Sequence, residues 1–260
     1  MTTSLIDYQP AADLLQDRVI LVTGAGDGIG AALATSLAAH GATVILLGRT
    51  IKKLEKIYDA IVAAGYPQPA IVPLDLEGAT ADHYQELAAT LQQEYGRLDG
   101  LVHNATYLGA LMPVEHYDLQ LWARVLQTNL TAPLLLTRAL LPLLKQSTAA
   151  SVIFTSASEI QGGRAYWGAY SVSKAGADNL MQILASELET NTSIRVNSLI
   201  PGPVQSQTRR TAFPGEDPNQ HPEIETLLPA YLYLLGPDSE NVNGQILHAQ
   251  ESHQVLAASI

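Results

Sequence analysis

The feature that most constrains this chain is an alternation of texture. Short runs of β-branched and aliphatic residues take turns with longer stretches of helical composition. Arg18 to Val22 (RVILV), Ala42 to Leu47 (ATVILL), Ala70 to Leu74, Leu98 to His103, Ser151 to Thr155 and Ile194 to Leu199 read as strands, with Gly244 to His248 as a seventh. Between them Ile29 to Ala39, Ile51 to Ala64, Ala81 to Tyr95, Leu119 to Leu144, Ala169 to Glu189 and Ile224 to Leu235 read as helices. A strand that is apolar at every position has no face for water, so it must be covered on both sides. Such strands alternating with helices predict an α/β fold: one doubly wound domain over residues 1–260, about seven parallel strands, helices on both faces. No repeat, low-complexity tract or linker divides the chain. Phe213 to Pro222 (FPGEDPNQHP) is full of breakers and reads as an excursion over the site.

Composition narrows the function. The chain has 260 residues, 14 basic and 25 acidic, for a formal net charge of -11. That balance argues against nucleic-acid binding, which rewards clustered Lys and Arg. The absence of cysteine excludes disulfides, zinc–thiolate sites and iron–sulfur clusters. Met1 to Gln16 has no basic residue and is unlike a signal peptide. The apolar run near Leu134 to Leu144 is broken by Thr137, Arg138 and Pro142, so no membrane span is expected. The seven histidines show no metal-ligand spacing, so no metal is expected. A cytoplasmic protein is the default expectation.

A glycine-rich turn, Thr23-Gly24-Ala25-Gly26-Asp27-Gly28-Ile29-Gly30, follows the first strand and opens a helix. Residues without Cβ allow a tight turn and a close approach by a ligand, and the helix N-terminus offers N–H groups and a positive dipole end to a pyrophosphate. Alone, such a turn is equally well a packed corner. In its strand–turn–helix setting it favours a nucleotide and a Rossmann-type domain. Downstream, Tyr170 and Lys174 lie four residues apart near the start of a helix and share a face. An ammonium beside a phenol favours the phenolate, and a tuned Tyr can pass a proton to or from a carbonyl oxygen. Y-x-x-x-K is common by chance, and the pair gains weight only from its position after the glycine turn and the Ser151 to Thr155 strand.

The glycine spacing is G-x-x-x-G-x-G. This T-G-x-x-x-G-I-G run resembles that of short-chain dehydrogenases/reductases, and the resemblance spans roughly residues 14–250. Asp75 after the third strand, His103-Asn104-Ala105 where the family has N-N-A-G, Asn129, the serine region after Ser151 to Thr155, Tyr170 with Lys174, and Pro201-Gly202 follow in the family's order. A narrower resemblance, to YciK-like oxidoreductases, rests on DLLQDRVILVTGAGDGIG, ATVILLGR, QGGRAYWGAYSVSK and AFPGEDP. The family implies Tyr170 as general acid/base, Lys174 on the nicotinamide ribose and Asn129 in a proton relay. It implies Thr23, Gly24, Asp27, Gly28, Ile29 and Gly30 around the pyrophosphate, and Asp75 with Leu76 at the adenine. Asn104 and Ala105 would support the cofactor, with Pro201, Gly202, Val204 and Ser206 near the nicotinamide. Taken singly, Asp75 also reads as a strand-end cap, Asn129 as a helix-interior polar residue and Pro201-Gly202 as a plain turn.

Two departures matter. The family's substrate-polarising serine falls on Ala157, between Ser156 and Ser158, and either neighbour could take its place; Ser158, on the loop side, is favoured. Thr106 stands where N-A-G has glycine. The second strand ends Leu47-Gly48-Arg49-Thr50, with no acid to hold ribose hydroxyls and with Arg49 to meet a 2′-phosphate. NADP(H) is therefore the expected cofactor, with NAD(H) the alternative. Asp27 argues for NAD(H), because many NADP-preferring relatives are basic there. Loops at 106–116, 158–168 and 203–223 are expected to set the substrate. Tyr107, Leu108, Leu111, Met112, Tyr166, Trp167 and Phe213 suggest a hydrophobic aldehyde, ketone or secondary alcohol. The competing reading is a nucleotide-binding sensor or scaffold with weak or no catalysis. The resemblance also implies a homodimer or homotetramer built on the helices at Leu119 to Leu144 and Ala169 to Glu189.

Overall fold

The computed structural model describes residues 2–158 and 163–254. The chain opens with β1 (Thr2–Ser4), then β2 (Val19–Thr23), α1 (Gly28–Ala39), β3 (Thr43–Gly48), α2 (Ile51–Ala63), β4 (Ala70–Pro73), α3 (Ala81–Tyr95) and β5 (Gly100–His103). It continues through α4 (Leu119–Leu126), α5 (Ala132–Leu144), β6 (Ser151–Thr155), α6 (Gly168–Glu189), β7 (Arg195–Ile200), α7 (Gln207–Ala212), α8 (Leu228–Leu235), β8 (Ile246–His248) and β9 (Ser252–Gln254). Seven strands form one parallel sheet in the order β4-β3-β2-β5-β6-β7-β8. The strand order reverses between β2 and β5, and in such sheets the crevice above the strands' carboxyl ends at that point is where ligands bind.

The central strands β2, β3, β5, β6 and β7 are buried because both faces carry helices, whereas β4 and β8 at the sheet's edges are only partly buried. Ile20, Val22, Val44 and Leu46 pack with Leu33 and Leu37 of α1, Leu54 and Ile61 of α2, and Tyr231 and Leu234 of α8. Leu21, Ile45, Leu47 and Leu101, the alternate positions, pack with Tyr84 and Leu87 of α3, Leu136 and Leu140 of α5, and Met181 of α6. The period of two that separates these sets is invisible in the sequence because both faces need the same apolar side chains.

Three details differ from the sequence reading. The Leu119 to Leu144 helix is not continuous: a π turn, Gln127–Thr131, separates α4 from α5. The chain termini pair as antiparallel β1 and β9, which are too short to carry a strand pattern. The 203–223 excursion contains the six-residue α7, whose N-cap Ser206 accepts from Arg209 N–H at 3.1 Å.

Charged side chains close the opposite end of the sheet, where the strands begin. Arg18 donates to the carbonyls of Leu235 and Asp99, at 3.1 Å each, and to that of Ala149. Arg195 donates to the carbonyls of Leu234 at 3.2 Å, Gly236 at 3.2 Å and Ser239 at 2.8 Å, and to the Ser239 hydroxyl. These carbonyls include the last ones of α8, which lack helical partners.

The glycines of the first turn are not equivalent. A Cβ on Gly30 would lie 2.2 Å from the Gly24 carbonyl oxygen and 2.5 Å from Asn104 Nδ2, whereas one on Gly28 would meet nothing within 4 Å. Gly28 is constrained instead by its φ of 51°. Gly30→Ala is expected to cost ~2 kcal/mol or more through overpacking, and Gly28→Ala only ~1 kcal/mol through its left-handed backbone. Urea unfolding of both variants checks the ranking.

Candidate active site

The glycine turn forms one wall of a cleft of about 500 Å³ at the carboxyl end of the sheet. Thr23, the last residue of β2, organises it. The Thr23 hydroxyl accepts from the backbone N–H groups of Asn104 and Ala105, both at 3.0 Å, and donates to the Val102 carbonyl at 3.2 Å. Asn104 Nδ2 donates to the Thr23 carbonyl at 3.1 Å. Asn104 and Ala105 thus stand within reach of Gly24, whose φ of 68° turns the chain out of the strand. Asp27 caps α1, accepting from Gly28 N–H at 2.8 Å, and forms an ion pair with Lys53. The Lys53 hydrogen bond holds the Asp27 carboxyl below its ordinary value. Gly24, Gly26, Gly28 and Ile29 line the cleft, a cradle of backbone at the N-terminus of α1 that suits a pyrophosphate.

At the end of the cleft beside β3, the lining includes Arg49, Thr50, Lys53, Asp75 and Leu76. Arg49 is exposed and makes no hydrogen bond or ion pair among the described residues. Asp75 is exposed, accepts from Glu77 N–H at 3.2 Å as a turn cap and still faces the cleft. Leu76 is buried in its floor.

The opposite end holds Tyr170 and Lys174. Both belong to α6, and the four-residue spacing puts them on the face turned to the cleft. Lys174 is buried, and its Nζ donates to the Thr155 carbonyl at the end of β6, 2.7 Å away. Burial lowers its amine to about 8, partly opposed by Asp178 one turn further on. Asn129 sits in the π turn, which is a helical bulge of the kind often found at functional sites. Its Nδ2 donates to the Tyr107 carbonyl at 2.9 Å and to Ser173 Oγ at 3.0 Å, and its Oδ1 accepts from Tyr107 N–H at 2.8 Å and Thr106 Oγ1 at 3.5 Å. The Thr106 side chain therefore points to Asn129. Pro201, Gly202, Val204 and Ser206 line the cleft beyond β7. Gln250 fixes this turn by donating to the Pro201 carbonyl at 2.9 Å and the Pro203 carbonyl at 3.0 Å.

The serines flanking Ala157 have separate environments. Ser156 is buried and donates to Asp178 at 2.7 Å, and Ser198 of β7 donates to the same carboxylate at 2.6 Å. Ser158 is exposed at the cleft wall. Ala157 packs with Trp167 and Tyr170, against which Leu108, Leu111, Ala212 and Phe213 lie. Trp167 meets Tyr170 edge-on at 5.7 Å and Phe213 at 5.6 Å. The suggested apolar lining thus divides: Tyr107 and Met112 pack toward Tyr117 and Trp122, and Tyr166 is exposed. Residues 159–162 of the 158–168 loop lie outside the described residues.

Sequence reasoning missed Asp178 and Ser173 as neighbours of the site, and noted His103 only as the first residue of the H-N-A run. Asp178 had one signal, its place four residues beyond Lys174 on a helix face that otherwise enters the core. His103 is buried, bonds Thr137 Oγ1 at 2.7 Å and stacks on Phe154. Burial, then the Lys174 charge, lowers it to about 3, so it is neutral.

The lowered Lys174 value has a consequence for stability. The unfolded chain keeps that proton up to the ordinary 10.5, while the folded chain sheds it at about 8. Between those values the unfolded state binds more protons, so this group makes stability rise with pH; below about 8 the cost of the buried charge is complete. Lys174→Met is expected to remove that rise, which urea unfolding from pH 7.5 to 10 measures by difference. Parallel curves for the two proteins would contradict it.

A family model described as short chain dehydrogenase matches residues 18–217. The uncharacterized oxidoreductase YciK of Escherichia coli (strain K12) is 45% identical over 243 residues, which is 94% of this chain and 96% of that protein. A short chain dehydrogenase structure from Pseudomonas syringae superimposes with a TM-score of 0.92 at 52% identity, covering 94% of this chain and 99% of that one. Another, from Shigella flexneri 2a str. 301 and complexed with NADP, has a TM-score of 0.90 at 44% identity, covering 93% and 100%. With this fold, this cleft and these matches, the chain belongs to the short chain dehydrogenase family of oxidoreductases.

Proposed function

We propose that the protein is an NADP(H)-dependent oxidoreductase that interconverts a carbonyl compound and its secondary or primary alcohol, with a hydrophobic aldehyde or ketone as substrate. The observation that carries this reading is the placement of Tyr170 and buried Lys174 on one helix face in the same cleft as the glycine cradle and Arg49. The 2.2 Å approach that a Cβ on Gly30 would make supports a backbone cradle fitted for a pyrophosphate. Thr23, Gly24, Asp27, Gly28, Ile29, Gly30, Asn104 and Ala105 would hold it. Arg49 would meet the 2′-phosphate, Asp75 and Leu76 the adenine, and Pro201, Gly202, Val204 and Ser206 the nicotinamide. The Shigella flexneri relative that is complexed with NADP supports this choice. When bound, the nicotinamide supplies or accepts the hydride.

The protein's own groups handle the proton. Tyr170 Oη gives a proton to the carbonyl oxygen, or removes one from the alcohol. Lys174, when protonated, favours the phenolate of Tyr170, and its hydrogen bond to Thr155 fixes the ammonium. Asn129 orders the 106–116 loop through Tyr107 and stands beside Ser173, where it can hold a water for Lys174. Ser158 is the serine we assign to the substrate oxygen, since Ser156 is committed to Asp178. The loops at 106–116, 158–168 and 203–223 surround the aromatic wall and would set substrate choice. Exposed Leu134, Val172 and Ile183 on α5 and α6 support a homodimer or homotetramer through those helices.

Ala157 supports the second reading, a nucleotide sensor that has lost its chemistry, and one variant separates the two. Tyr170→Phe is expected to lower turnover of any accepted carbonyl by ~10²-fold or more while NADPH still binds by fluorescence titration. Unchanged turnover in that variant refutes the Tyr170 mechanism, whereas NADPH binding without oxidation across a broad carbonyl panel in the parent favours the sensor. For the cofactor, Arg49→Ala should weaken NADPH binding about tenfold and NADH binding little, as loss of one charge-assisted phosphate contact predicts. Equal effects on both would remove Arg49 from the 2′-phosphate site.

A further inference from the structure

The aromatic wall beside Tyr170 ends in a cation, Arg164, that forms no ion pair among the described residues. Two residues in left-handed backbone, Gly163 at φ 65° and Tyr166 at φ 73°, reverse the chain before α6. The second is costly for a residue with a Cβ. It is held by Met112 N–H, which donates to the Tyr166 carbonyl at 3.1 Å and ties this turn to the loop across the cleft. The reversal buries Trp167 against Tyr170 and leaves Arg164 exposed at the rim. The Arg164 guanidinium lies 5.7 Å from the Trp167 ring centre and 5.1 Å from that of Phe213. Cation–π contacts at these distances do not use up the guanidinium's N–H donors, which stay available to a ligand.

Arg209 provides the contrast. It lies 3.7 Å from the centre of the same Phe213 ring, but Glu216 neutralises it through two hydrogen bonds of 2.8 and 2.7 Å. The Arg164 side chain has no hydrogen bond or ion pair among the described residues. Two cations therefore share one ring, and among the described residues only Arg209 is paired with a carboxylate.

We infer that Arg164 is a specificity residue, and that the substrate is a carbonyl compound with an apolar body and a carboxylate at the end remote from the reacting carbon. This rests on the oxidoreductase reading above. The apolar body would lie along Trp167, Phe213 and Leu111, with the carbonyl at Tyr170 and the carboxylate across the guanidinium fork. A carboxylate suits that fork because its two oxygens match two parallel N–H donors.

The test uses 4-formylbenzoate and its methyl ester, which differ in charge but share a ring and an aldehyde. With NADPH, the parent protein is expected to favour the acid over the ester in kcat/KM by about tenfold, a difference of ~1.4 kcal/mol. The preference should shrink as salt is raised from 0.02 to 0.5 M, because the rim is screened. Arg164→Gln and Arg164→Ala should bring the acid-to-ester ratio to near one, and Arg164→Lys should retain part of it. Circular dichroism checks that each variant is folded. A ratio that is the same in parent and variants, or a parent that favours the ester, overturns the inference. If neither compound is reduced, calorimetric titration of both into the NADPH complex decides. Tighter binding of the acid that Arg164→Gln abolishes upholds the carboxylate site and counts against the oxidoreductase reading. Equal binding of acid and ester overturns the inference itself.

Discussion

The site hangs on one hydroxyl. Thr23 Oγ1 accepts from two successive backbone N–H groups of the strand β5 extension and donates to a third group on the same strand, so its hydrogen-bonding capacity is used in full. The bonds stitch the ends of β2 and β5 together at the point where strand order reverses. Two chains held that closely leave no room for a Cβ on Gly30 and little on Gly24. The glycine spacing is therefore a consequence of the stitch as much as of any ligand. It keeps the first turn of α1 pressed on the sheet and its N-terminal N–H groups turned toward the cleft.

The second dependency is the buried ammonium of Lys174. Desolvation penalises a charge here, and the structure offsets this with a strand-end carbonyl at 2.7 Å and with Asp178 one helical turn away. Asp178 is itself held by hydroxyls from two strands, Ser156 at the end of β6 and Ser198 in β7. The ends of β6 and β7 are thus tied to α6 through one carboxylate, and Tyr170 and Lys174 ride on that helix. His103, buried across from them, remains neutral, so it adds no competing charge beside the ammonium.

Much of this was legible in the sequence, for reasons that differ by element. The five buried strands could be placed because parallel strands covered on both faces are continuous apolar runs, and Ser151–Thr155 has the same limits in both readings. The helix from Leu119 to Leu144 looked continuous because a π turn keeps helical composition and adds only one residue's displacement, which hydrophobic periodicity cannot resolve. The β1 and β9 pair was hidden because three residues hold no pattern, and their pairing is a contact between the two ends of the chain. Most residues named from motif order line the cleft, though Thr23, Gly30 and Asn129 are not in its lining. That both serines beside Ala157 line the cleft while the Ser156 hydroxyl is held by Asp178 could not be read, because that carboxylate lies more than twenty residues away in sequence.

Charge distribution unites the parts. A chain of net charge -11 repels dinucleotides and acids at long range. Its cleft reverses the balance, with Arg49, Lys53, Lys174 and Arg209 in the lining against Asp27, Asp75 and Glu77. Lys53 is spent on Asp27 and Arg209 on Glu216. Among the described residues Arg49 and Arg164 pair with no carboxylate, one beside β3 and the other at the rim of the aromatic wall. In a low-dielectric cleft a cation without a partner is costly, and the cost is least at exposed positions such as these two. Each can then wait in water for an anion brought by a ligand, while Lys174, which must stay fixed beside Tyr170, is the cation that the fold itself buries and satisfies.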